Sequence, residues 1–222
     1  MARKQLTPQD WSIAALRAMA RGGVAAVSVN ALAGELGATR GSFYWHFKHR
    51  DALLTAALET WEQQHTAALI AELGDITDPL QRLTALFTTA LGEEDIDGLE
   101  PAIVAHADHP AVAPVLRRVT EQRIAYLTDL YTDLGMAPAT ARRHAVTTYA
   151  AYLGWVELRR SAVDVVPEVA ATGAAATAAL EHLITALARS AMSQAMPEAG
   201  PPATPEATPR ALPQAAPRAD PE

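Results

Sequence analysis

An all-α fold is predicted for this 222-residue chain, with a small three-helix head and a longer helical body. Three observations predict it. Half of the residues are apolar, but Ala and Leu dominate and β-branched runs are few, a composition that favours helix over strand. Polar caps and prolines stand where helices would begin, because the first turn has no hydrogen bond for proline to lose. Glycines stand where helices would end, and no segment alternates long enough to form a strand; Val163-Asp164-Val165-Val166 is too short. At this length the chain can bury a real core.

The elements follow in order. Thr7-Pro8-Gln9-Asp10 reads as a capping box opening a helix that carries Trp11, Ile13, Leu16 and Met19 and stops at Gly22-Gly23. Ser28 caps a short second helix, Val29 to Leu36, with Gly37 suited to the left-handed conformation that ends it. Thr39 caps a third, ending near Phe47. A fourth begins at Arg50-Asp51 and runs through Leu53, Leu58, Trp61 and Leu69 to Gly74. In the body, Asp78-Pro79 opens a helix to Leu91 and Glu100-Pro101 a short one. Pro110 then starts a long helix to Gly135, Pro138 one to about Ser161, and Pro167 a last one to about Met192. Eight of the fifteen prolines fall in 197–222, among Ala, Thr and Glu. Too little apolar surface is available there to offset ordering, so 196–222 is expected to be a disordered Pro/Ala-rich tail.

Charge divides the chain. The net charge is −7, yet Arg3, Lys4, Arg17, Arg21, Arg40, Lys48 and Arg50 face only Asp10 and Glu35 in residues 1–50, a net of +5, leaving −12 on the remainder. A basic contact module on an acidic body suits a polyanionic partner. Cysteine is absent, so neither disulfides nor thiolate metal sites are expected. No stretch approaches the ~20 apolar residues of a membrane span, and the polar N-terminus has no signal-peptide pattern; a soluble, cytoplasmic protein without membrane contact is expected. No nucleophile–base pair, glycine-rich phosphate loop or metal cluster is apparent, so neither an enzyme nor a cofactor is expected.

The second and third helices, joined at Gly37-Ala38, have the form of a helix-turn-helix, in which the second helix enters the major groove of DNA. With Phe43 and Phe47 at i and i+4 facing the head's core, Gly41, Trp45 and Lys48 point away from it and Tyr44 lies on the flank. A tryptophan on the outer face of a two-turn helix has no intramolecular purpose. With Tyr44, His46 and Lys48 as donors and Gly41 permitting close approach, that face suits a phosphate-lined groove. A protein-binding patch is the competing reading.

Residues 22–54, from Gly22-Gly23 through Ala33-Gly34-Glu35-Leu36-Gly37 and Gly41-Ser42-Phe43-Tyr44-Trp45-His46-Phe47-Lys48 to Arg50-Asp51-Ala52-Leu53-Leu54, closely resemble the signature of the TetR family of repressors. The resemblance implies a helix-turn-helix DNA-binding domain over 1–50 and a helical ligand-binding and dimerisation domain over 51–195. It implies that Ser28 meets a phosphate and that Thr39, Arg40 and Ser42 reach base edges or phosphates. It also implies that Tyr44 and His46 hold the backbone, that Trp45 lies beside bases or sugars, and that Lys48 meets a phosphate. Arg3 and Lys4 would form an arm along the duplex, and Arg40 is the base reader expected, since arginine can bond guanine bidentately.

A palindromic operator requires two such heads, and the last two helices, 138–161 and 167–192, are expected to pair two copies of the chain. The first is apolar nearly all round, with Thr147, Ala150, Ala151 and Gly154 on one close-packing flank; the second repeats the device with Gly173 and Ala174-Ala175-Ala176. The resemblance further implies that a small-molecule effector binds between the middle helices and releases the DNA. Arg123 falls at the centre of an apolar stripe formed by Val112, Leu116, Val119, Leu127, Leu130 and Leu134. Two readings stay open: a structural salt bridge, or an anchor for an acidic or carbonyl-bearing effector with Tyr126, His106 and His65. His106-Ala107-Asp108-His109 is not read as a metal site, given the following Pro110 and the absence of thiolates. Phe87, Trp61 and Trp155 are read as core.

Overall fold

The computed structural model describes residues 6–92 and 98–195, with side chains through Arg189. The tail expected at 196–222 and the Arg3-Lys4 arm lie outside them. All regular elements among the described residues are helical. The head holds α1 (Pro8–Ala26), α2 (Val29–Glu35) and α3 (Arg40–His46). α4 (Arg50–Glu62) passes through a π turn, Gln63–Ala67, directly into α5 (Ala68–Leu73). The body continues with α6 (Pro79–Ala90), α7 (Leu99–Val104), α8 (Ala113–Asp133), α9 (Pro138–Ala162), a 3₁₀ turn at Pro167–Val169 and α10 (Ala174–Ala195).

Caps dictate the starts. The Thr7 hydroxyl accepts from Asp10 N while the Asp10 carboxylate accepts from Thr7 N at 2.7 Å, a reciprocal capping box. Ser28 and Thr39 accept from Ala31 N and Ser42 N at 3.5 and 3.3 Å, and Asp78 accepts from Leu80 N and Gln81 N. His49 Nδ1 accepts from Ala52 N at 3.1 Å and caps α4, whose first turn carries Asp51 as expected.

Two expected starts are corrected. α8 begins at Ala113, not Pro110, because Pro114 supplies the first-turn proline and His109 to Val112 form a tight turn before it. The last helix begins at Ala174, not Pro167: Pro167 opens only the 3₁₀ turn, and Gly173, at φ 111°, breaks the chain ahead of α10.

Two apolar cores organise the bundle. The first joins Trp11, Leu16, Phe43, Leu54 and Trp61 of the head and α4 to Leu99 and Ile103 of α7 and Val115 and Val119 of α8. The second joins Leu83 and Phe87 of α6, Leu130 and Tyr131 of α8, and Tyr149 and Val156 of α9. Helices of seven residues such as α2 and α3 are too short to persist alone, so the head takes its stability from α1, α4 and α7.

A buried arginine fastens the far end of the second core. Arg159, 8 % exposed, donates from Nε to Val169 O at 2.8 Å, from Nη1 to Gly92 O at 2.9 Å, and from Nη2 to Leu91 O. Leu91 and Gly92 lie at the C-terminal end of α6, where carbonyls lack helical partners and positive charge is favourable. Arg159→Met is therefore expected to lower unfolding free energy by at least about 2 kcal/mol in urea denaturation. Arg159→Lys should recover only part of the loss, since an ammonium cannot span three carbonyls as the planar fork does.

Candidate nucleic-acid interface and internal cavity

On α3 the apolar and polar residues separate cleanly. Phe43 is fully buried, edge-on to Trp11 at 5.5 Å and stacked on Phe47 at 5.7 Å. The opposite side presents Trp45, 82 % exposed, and Tyr44, 52 % exposed. Thr39, Arg40, Gly41 and Lys48 are exposed with them, and Ser28, Ser42 and His46 are half-buried at the margin. Arg40 Nη2 lies 3.5 Å from the Tyr44 hydroxyl one turn on. A side chain at Gly41 would meet only Thr39 Oγ1, at 3.6 Å, so the fold itself does not require glycine there. α3 carries no acidic side chain, and the acid nearest to it on α2, Glu35, is paired with Arg21 at 2.9 Å. The face is therefore cationic, aromatic and open to solvent.

Arg50, to which the sequence assigned no contact, holds this unit in position. Its Nε donates to Val27 O at 2.6 Å and its Nη2 to Val24 O, tying the α1–α2 junction to the start of α4. The signal was present in its place just after Phe47-Lys48, but its acceptors are backbone atoms and leave no trace in sequence.

The second feature is a cavity of about 370 Å³ between α4, the π turn, α5, α6, α8 and α9. Five aromatic side chains stand in its wall: Trp61, Phe87, Tyr126, Tyr149 and Tyr152. Trp61 and Phe87 thus serve the core and the cavity together, and Trp155 does not line it. At one side Arg123 Nη1 donates to Glu100 Oε1 at 2.5 Å, Nε to Thr66 Oγ1 at 3.0 Å and Nη2 to the His65 carbonyl at 3.3 Å. Glu100 Oε2 accepts from the Tyr152 hydroxyl at 2.8 Å. The guanidinium also lies 5.4 Å from the Trp61 ring centre and 5.7 Å from that of Tyr152. Burial works to lower the Arg123 pKa, but Glu100 and the neighbouring tyrosines outweigh it and hold the group above its ordinary range. Of the two readings open for Arg123, the salt bridge is present, and it forms part of a cavity wall.

Tyr126 and His65 join Arg123 at the cavity; His106 does not. His106 follows α7, with Nδ1 2.8 Å from Ala102 O, and its ring occupies the space that a Cβ on Gly23 would take. Gly23, at φ 65°, and Gly22 interrupt α1 where the sequence placed its end, although three further residues wind helically beyond. Helix α7 consequently touches both features: Glu100 faces the cavity, and His106 presses on the bend that leads into α2. Glu100, Thr66 and Tyr152 were missed as cavity residues because their partner is 23 or more positions away in sequence.

On α9, Val146 and Leu158 remain 46 % and 43 % exposed. Thr147, Ala150 and Gly154 lie open between them, and a Cβ at Gly154 would meet nothing within 4 Å. No described helix is long and apolar enough to cross a membrane.

Residues 14–57 match the family model described as bacterial regulatory proteins, tetR family. The HTH-type transcriptional regulator TtgR of Pseudomonas putida is 29 % identical over 132 residues, 59 % of this chain and 63 % of that one, so the chain spans under two thirds of that relative's length. A solved TetR transcriptional regulator from Legionella pneumophila shares the fold with a TM-score of 0.68 at 16 % identity, over 85 % of this chain and 99 % of its own. A Saccharomonospora viridis protein, solved in complex with choline, does so with a TM-score of 0.65 at 17 % identity, over 81 % and 92 %.

The contact at Gly23 yields a direct test. Gly23→Ala must place a Cβ at positive φ and displace the His106 ring, and is expected to cost about 1–3 kcal/mol in chemical denaturation. His106→Ala added to that variant should recover the steric share; strictly additive losses would show that the two residues do not press on each other.

Proposed function

We propose that this chain, whose residues 14–57 match the tetR-family model, is a ligand-responsive transcriptional repressor of that family, acting in the bacterial cytoplasm. It binds a palindromic operator in double-stranded DNA as a homodimer and is released when a small-molecule effector enters the body. The observation that carries this reading is the exposed face of α3, on which Trp45 and Tyr44 stand in solvent beside Arg40 and Lys48 while Phe43 and Phe47 hold the helix from behind.

In this reading Ser28, Tyr44, His46 and Lys48 contact phosphates, Thr39, Arg40 and Ser42 reach base edges from the N-terminal turn, Gly41 admits close approach, and Trp45 packs against sugars or bases. Two heads about 34–36 Å apart read one face of a duplex. The open flank of α9, from Val146 through Ala150 and Gly154 to Leu158, together with α10, is proposed to join the two copies. The cavity takes the effector, and α7, touching both cavity and α1, carries its effect to the head. The effector needs only to favour the head spacing that DNA rejects. The choline held by the Saccharomonospora viridis protein supports small-molecule binding in this fold.

Titrations of DNA from upstream of the gene at two salt concentrations test the proposal, which expects tight, sequence-selective, salt-dependent binding. Lys48→Ala should weaken binding to all sequences alike and lower the salt slope by about 1; an unchanged slope removes Lys48 from the phosphate contacts. Paired Val146→Glu and Leu158→Glu substitutions should give monomers in sedimentation and abolish operator binding while circular dichroism stays helical. Dimers that persist would move the interface elsewhere.

A further inference from the structure

The cavity has an internal charge balance that restricts what can enter. Both charged groups that close its side are already satisfied. Arg123 donates to Glu100, Thr66 and the His65 carbonyl, and Glu100 receives Arg123 on one oxygen and Tyr152 on the other. An anionic ligand would have to displace a tethered carboxylate at 2.5 Å from its partner, or sit beside that carboxylate's charge in a site shielded from water. A cationic ligand meets the opposite obstacle. Two of the aromatic faces that would attract it, Trp61 and Tyr152, already carry the Arg123 guanidinium at 5.4 and 5.7 Å. Its charge would also add to that of Arg123.

Two tyrosine hydroxyls on the wall, those of Tyr149 and Tyr126, are buried without a hydrogen-bond partner; the first lies within the field of the Arg123–Glu100 pair, which leaves Tyr126 clear of that charge. The Tyr126 hydroxyl lines the cavity, is shielded from solvent and has no hydrogen-bond partner in the protein. Burial pushes its pKa up, with the charge of Arg82 opposing, so at neutral pH it is a phenol able to donate. A buried donor without an acceptor is costly, and a ligand acceptor would relieve it. Much of the remaining wall is apolar or aromatic and suits a flat ring system, with Gln64, Thr89 and the solvent-exposed Glu72 as further polar members.

We infer that the effector of this site is an uncharged aromatic molecule bearing a hydrogen-bond acceptor, such as a carbonyl or amide oxygen, placed against Tyr126, and that the Arg123–Glu100 pair excludes carboxylates and ammonium compounds of the same shape. This rests on the proposed effector role of the cavity. It narrows the acidic or carbonyl-bearing effector suggested from sequence to the uncharged alternative, and moves its anchor from Arg123 to Tyr126.

Three probes with one frame test it on the full chain by calorimetry: 2-naphthamide, 2-naphthoate and 2-naphthylmethylammonium. The amide is expected to bind at least tenfold more tightly than either ion. Tyr126→Phe, which leaves the ion pair intact, should weaken the amide roughly three- to tenfold and leave naphthalene itself unchanged. Glu100→Gln, if folded by circular dichroism, frees Arg123 and should reverse the order of amide and naphthoate. Naphthoate or the ammonium binding wild type as well as the amide overturns the assignment, as does uptake of none of the three at millimolar concentration, or an amide affinity indifferent to Tyr126→Phe. DNA titration without any probe is a separate readout, so the regulator reading can fail or stand independently.

Discussion

The arrangement of the molecule turns on one ion pair that water hardly reaches. Separating Arg123 from Glu100 would leave a charge stranded among aromatic rings, an outcome costing several kcal/mol. The pair therefore fixes α7 against α8, and through Thr66 and the His65 carbonyl it fixes the π turn as well. π turns recur at functional sites, and this one lies where the α4–α5 rod borders the cavity. Because Leu99 and Ile103 of the same short helix belong to the first core, the helix cannot shift at the cavity without disturbing the packing beneath the head.

Local signals made the head almost wholly legible. Capping residues, Gly37 after α2, and two phenylalanines one turn apart specify α1 to α3 through contacts within a few positions, and each agrees with the others. The outward direction of Trp45 and the flanking position of Tyr44 followed from the helical period alone, and both are exposed. The body was less legible. Helix starts were misplaced where two prolines competed, as with Pro110 and Pro114, and where a glycine at positive φ overrode an upstream proline, as with Gly173 and Pro167.

The cavity was the least legible part, for a physical reason. Arg123 was conspicuous because a charge interrupted an apolar stripe, yet its partner, Glu100, looked like an ordinary first-turn acid. Only the packing of α7 against α1 and α9 brings Glu100 within reach of Arg123, and no periodicity encodes such packing. His106 shows the same limit in reverse: it looked like a companion of Arg123 and instead fills the space left by the missing side chain of Gly23.

The exposed side of α3 has a consequence for how such a protein can change over time. Folding is secured by Phe43 and Phe47 from beneath, while the space above Gly41 is open and Trp45 touches little of its own chain. Replacing the outward residues removes few native contacts, so the scaffold tolerates new ones there. In the proposed reading, recognition and architecture are thus written on opposite sides of a single seven-residue helix, and a lineage could revise which sequence it reads without first having to reinvent how it folds.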